Sequence, residues 1–278
     1  MIHGGGHVIS TRKDIRHDQT QILLHAGFLP VSIDYRLCPE LPIHKGAMQD
    51  VRDAFYWARK TLPTLPLRRS DIRPDGDRVV TVGWSSGGHL AKTLGWTVSP
   101  LGIAPPEAIL GFYCPTDYED PFWALPNLPF GQRPIEPPGT GYDFLYDGLC
   151  DSPIVGYTPQ ASRRALLGGW MSLEDPRSRI ILHMNWEGKS LLVLINGLQR
   201  QAGTRTVTNP SFPSVEQIQA ISPLARIRQG QYSTPTFLIH GTRDDLVPWQ
   251  SSKRTFEGPP GGGSRDRASD IGGCSAFI

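Results

Sequence analysis

The five residues Gly83-Trp84-Ser85-Ser86-Gly87 constrain the fold more than any other stretch. They match Gly-x-Ser-x-Gly, and their setting gives the match its weight. Residues 78–82 (RVVTV) before them predict a strand. From Ser86 to Trp96 the pattern is helical, with Leu90 and Leu94 one turn apart. A strand that passes into a helix over so few residues makes a tight turn and holds the serine in a strained backbone conformation. Side chains at 83 and 87 would collide with that turn and with the neighbouring strand, so both positions need glycine. The serine oxygen then stands at the carboxyl end of a sheet, beside the positive end of a helix.

The flanks continue the alternation. Residues 28–35 (FLPVSIDY) read as a buried strand and 45–60 as a helix with Val51, Ala54, Phe55 and Ala58 on one face. Residues 108–114 (AILGFYC) and 235–240 (PTFLIH) read as further strands. Strands alternating with helices imply an α/β fold, a mostly parallel sheet with helices on both faces. At 278 residues, 38% hydrophobic and 19% charged, the chain can bury a large core and is too apolar to be disordered. With 30 glycines, 26 prolines and no Gly-X-Y period it is loop-rich rather than collagen-like.

A net charge of +2 without a basic run singles out neither nucleic acid nor a membrane surface. No stretch approaches the roughly 18 apolar residues of a membrane span. The first residues lack a secretory signal pattern, and the scattered Cys38, Cys114, Cys150 and Cys274 read as free thiols of a reducing compartment, so a cytoplasmic setting is expected. No Cys/His spacing predicts a metal site, and no motif calls for a cofactor.

Between 115 and about 213 the pattern breaks into Pro- and aromatic-rich chain, interrupted by 179–184 and 190–195, which read as short strands or helices. An insertion of that length predicts a lid. The hydrolase-like domain is expected to span 1–257. Residues 258–278 open on Gly258-Pro259-Pro260-Gly261-Gly262-Gly263, show no helical or strand period, and read as a disordered or atypical tail.

Two further segments converge on the serine. Consecutive glycines in His3-Gly4-Gly5-Gly6-His7 let backbone N–H groups turn toward a developing oxyanion, with Gly5, Gly6 and Ser86 as the candidate donors. The same run prevents a helix that would bring His3 and His7 together as metal ligands. Asp244 follows the 235–240 strand, on a loop at the same sheet edge as Ser85, where an acid orients an imidazolium; the order Ser then Asp favours this over a turn or helix cap at Asp244 or Asp245.

Together these pieces resemble the α/β-hydrolase fold, in particular its hormone-sensitive-lipase-like branch of esterases, which carries a DYRL-x-PE run after the Gly-rich loop. Here that run is Asp34-Tyr35-Arg36-Leu37-Cys38-Pro39-Glu40. More narrowly, residues 112–123 (FYCPTDYEDPFW) and 181–186 (ILHMNW) resemble the thioesterase-type releasing domain of fungal non-reducing polyketide synthases. The resemblance implies a serine hydrolase that cleaves an acyl ester or a carrier-bound acyl thioester in polyketide or related secondary metabolism. It also implies a carrier protein or synthase as partner, and Ser85 and Asp244 as catalytic residues.

One element of that pattern is missing. The family's catalytic histidine follows the acid, yet the eight histidines stand at 3, 7, 17, 25, 44, 89, 183 and 240. His240 and His89 read as structural; His183 lies in the lid. Only Met1 and Ile2 stand where the family has a core strand preceded by two more, which exposes a strand edge and suggests a piece of a longer ancestor or a gene with misassigned boundaries. The alternative expectation is therefore a catalytically impaired remnant, or a scaffold that binds an acyl group or a partner.

Overall fold

The computed structural model describes residues 1–69, 71–131, 141–160, 165–166, 171–257, 268–271 and 274–277. In chain order its regular elements are α1 (His17–His25), α2 (Ala47–Lys60), β1 (Thr81–Trp84), α3 (Ser86–Thr97), β2 (Ile109–Phe112), β3 (Ala165–Leu166) and β4 (Met171–Ser172). There follow α4 (Pro176–Trp186), α5 (Ser190–Asn196), α6 (Val215–Ile221), α7 (Pro223–Arg228), β5 (Thr236–Gly241), α8 (Trp249–Glu257), β6 (Ala268–Ile271) and β7 (Cys274–Phe277).

The main sheet has the order β1-β2-β5-β7-β6. Its first three strands run parallel, with Gly83 opposite Gly111 and Gly111 opposite Leu238. The carboxyl ends of β1 and β5, which lead into Ser85 and Asp244, therefore lie on one edge. β1 begins three residues later than the sequence pattern suggests. The ladder starts where β2 can pair with it, at Thr81 opposite Ile109, while the Val79 N–H goes to the Glu107 carboxylate instead.

Residues 28–35 do not form the expected buried strand. Ile33 makes one isolated parallel bridge to Ile2, which makes a second to Gly83, and Phe28 and Leu29 are exposed. Pro30 has no N–H to give a ladder, and β-pairing here is limited to single rungs. Residues 268–271 and 274–277 also depart from expectation. The sequence shows no strand period there, yet they form a hairpin whose second strand pairs antiparallel with β5, Ile239 opposite Ala276. Backbone groups of an open edge accept a partner whatever its side-chain pattern.

Around the sheet, Val51 and Phe55 of α2 and Leu90 and Leu94 of α3 are buried in one core. The two segments left open between strand and helix are both helical, as α4 and α5. Ile180, Ile181, Leu191, Leu192 and Val193 belong to the same core as the sheet-side residues, so α4 and α5 are built into the body of the molecule. Among the described residues no helix is long and apolar enough to cross a membrane.

Candidate active site

Ser85 sits in the strained turn that its motif predicts, with φ 51° and ψ −125°. Its N–H donates to Phe112 O of β2 at 2.9 Å, and α3 begins at the next residue. A Cβ on Gly83 would lie 2.3 Å from Gly87 O. One on Gly87 would lie 2.2 Å from Ile2 O and 2.4 Å from His3 O. Backbone fills both spaces, which is why the turn takes no side chain at either position.

The Gly-rich loop lies against this turn. A Cβ on Gly4 would stand 2.9 Å from Trp84 O and 3.2 Å from Ser85 Cβ, so the loop and the serine touch. Gly5, Gly6 and His7 follow with φ of 105°, 61° and 65°, a left-handed run that glycine tolerates. Carbonyls of the run are occupied: Gly5 O accepts from Val8 and Ile9 N–H at 3.0 Å each, and His7 O accepts from Cys38 N–H at 2.8 Å. The N–H groups of Gly5, Gly6 and Ser86 have no acceptor among the described residues. On its other side Gly6 faces Ile181 of α4, whose Cδ1 would be 3.3 Å from a Cβ there.

Asp244 follows β5, two strands from β1, so the strand ends that carry the two residues stand about 10 Å apart. Its Oδ1 accepts from Leu246 and Val247 N–H at 2.9 Å each. Its Oδ2 faces His240 Nε2 at 3.2 Å. The His240 ring is fully used: Nε2 also faces Val247 O at 3.2 Å, and Nδ1 lies 2.8 Å from the Ser252 hydroxyl of α8. Carbonyl and carboxylate oxygens only accept, so Nε2 carries a proton toward Asp244 and Val247. The acid of the motif is thus engaged both by its own loop and by a structural histidine.

Among the described residues no histidine hydrogen-bonds the Ser85 hydroxyl. His7 Nε2 reaches Tyr118 Oη at 3.3 Å, and its ring meets His89 edge-on at 5.2 Å. His89 Nε2 donates to Ile221 O at 2.7 Å. His183 packs between Phe144 and Trp186, with Nδ1 3.3 Å from Glu187 Oε1. Burial lowers all three below the usual histidine range, His89 to about 3 and His183 to about 4. Among the described residues no group of three or more His, Cys, Asp or Glu is placed to hold a metal ion.

Two arrangements have no local sequence signature. One is His240 bridging Asp244 and Ser252. The other is the buried pair of Arg177 with Glu40, joined at 2.6 and 3.1 Å, which ties α4 to the chain behind the Gly-rich loop. The DYRL-x-PE run marks Glu40, but nothing near Arg177 announces its partner.

Parallel strands, the strained serine and the adjoining Gly-rich loop define an α/β-hydrolase-fold protein. The family model BD-FAE matches residues 1–103. An α/β-hydrolase superfamily protein from Enterococcus faecalis superposes with a TM-score of 0.57 at 15% identity, over 93% of this chain and 75% of that one. A Staphylococcus aureus protein of unknown function superposes with a TM-score of 0.56 at 15% identity, over 92% of this chain and 74% of that one.

In sequence the chain is similar to fungal non-reducing polyketide synthases. It is 57% identical over 256 residues to mapC of Penicillium roqueforti and 54% identical over 261 residues to ausA of Aspergillus calidoustus, in each case across 92% of the chain. It spans about a tenth (10%) of the length of each of these synthases.

Proposed function

We propose that the chain is an acyl hydrolase of the release type, acting through Ser85 on an ester or a carrier-bound thioester of a polyketide acid. The observation that carries this reading is the contact of Gly4 with the Ser85 turn, beside three backbone N–H groups without acceptors. Attack of Ser85 Oγ on the acyl carbonyl puts negative charge on its oxygen. The N–H groups of Gly5, Gly6 and Ser86 are the donors that stabilise it. On this reading Asp244 is the acid. The alcohol or thiol leaves, and water releases the acid from the acyl-serine.

The weak link is the base. Without a histidine on Ser85 the hydroxyl proton passes to solvent, and the acceleration falls to what donors and binding supply, roughly 10³–10⁴ over water. The engagement of Asp244 with His240 favours a second reading, an impaired scaffold that binds acyl groups or a partner without turnover. Hydrolysis of aromatic acyl thioesters by the purified chain, against Ser85→Ala, tests the first reading. Slow release abolished in the variant supports it; equal rates in both proteins support the scaffold.

A further inference from the structure

We propose that Tyr35 is a positioning residue for the oxyanion donors: its hydroxyl clamps the Gly-rich loop so that the Gly5 N–H aims at the oxygen that develops charge beside Ser85. This inference rests on the serine-hydrolase reading.

The Tyr35 hydroxyl lies 3.0 Å from His3 O and 3.3 Å from Gly4 O, so one donor serves two successive carbonyls. Gly4 O also accepts from His3 Nδ1 at 2.8 Å. The two rings stack with centroids 4.3 Å apart and planes 12° from parallel. Tyr35 and His3 are 1% and 0% exposed, so neither donor has room to swing away. The Gly4 carbonyl is therefore held by two donors that belong to one rigid block.

In a trans peptide the carbonyl and the following N–H point in opposite directions. Fixing Gly4 O toward Tyr35 and His3 fixes the Gly5 N–H away from them. That direction would otherwise be soft, because Gly5, with φ 105°, makes no ladder hydrogen bond through its N–H. Downstream, the Gly5 and His7 carbonyls are held by Val8, Ile9 and Cys38 N–H. Tyr35 closes the upstream end, where Gly4 meets Ser85. A loop of three residues at positive φ gets its stiffness from these few contacts, and an oxyanion hole acts only if its donors are aimed in advance.

The test compares fluorophosphonate labelling of the wild type, Tyr35→Phe and Ser85→Ala, separating the rate at saturation from the half-saturating concentration. Tyr35→Phe keeps the stacked ring and removes only the hydroxyl. The expected result is a fall of about 10-fold in the saturating rate with an unchanged half-saturating concentration and unchanged circular dichroism. His3→Asn, which keeps a donor near the Nδ1 position, should retain most of the rate that His3→Ala loses. Equal saturating rates for wild type and Tyr35→Phe overturn the positioning role while leaving the nucleophile intact. So does a loss confined to the half-saturating concentration. Wild type that folds but takes no label overturns the serine reading, and this inference with it.

Discussion

At the scale of single residues, the backbone demands were the most legible. Gly83 had to be glycine because backbone of its own turn fills its side-chain space, which is a local matter, whereas at Gly87 the space is filled by Ile2 and His3, brought there by the tertiary fold. The role of Tyr35 was not legible, because its partners His3 and Gly4 lie some thirty residues away in sequence. His89 shows the same limit. Its place one turn after Ser85 was readable, whereas its burial among His7 and Tyr118 comes from the tertiary fold. That burial lowers its pKa from the ordinary 6.5 to about 3. The unfolded chain therefore takes up the proton first, and stability declines as pH falls below about 6.5, and continues to decline toward 3. The largest slope from one such group is about 1.4 kcal/mol per pH unit. Urea unfolding between pH 8 and 5 should show a shallower pH dependence in His89→Gln than in the wild type. Parallel curves would contradict the assignment.

Among the elements, α2 was readable because it has one buried stripe and periodicity survives in the sequence, whereas α3, buried from Ser86 to Gly95, was readable from the Gly-x-Ser-x-Gly turn that opens it. α5 was not, since Ser190 through Ile195 are all buried and a helix buried on every side has no period to detect. The strand expected at 28–35 failed for the opposite reason. An apolar run was present, but the ladder partners were not. What fixes α4 over the Gly-rich loop is Arg177. Its guanidinium reaches Val8 O at 3.0 Å and Cys38 O at 2.6 Å, besides Glu40. Both members of the pair are almost fully buried, so removing one leaves a charge without compensation. Arg177→Met should cost about 3–5 kcal/mol in urea unfolding, and Arg177→Met/Glu40→Gln distinctly less. A single variant within 1 kcal/mol of the wild type would show that the pair does not anchor α4.

For the whole molecule, parallel pairing was implied by the alternation of strands and helices, and the order β1-β2-β5 brings positions 85 and 244 to one edge. The hairpin of β6 and β7 was not implied, because edge pairing is written in backbone groups and not in a side-chain pattern. That no histidine follows Asp244 in these residues was visible by counting, and the structure adds what the count could not: Asp244 is taken by His240. The account stands on Ser85 being a nucleophile held against aimed amide donors. Reacting the folded chain with a fluorophosphonate and mapping the adduct by peptide mass spectrometry tests this directly. The account predicts one adduct, on Ser85, absent from Ser85→Ala. A folded chain that takes no label, or takes it on another serine, would contradict it.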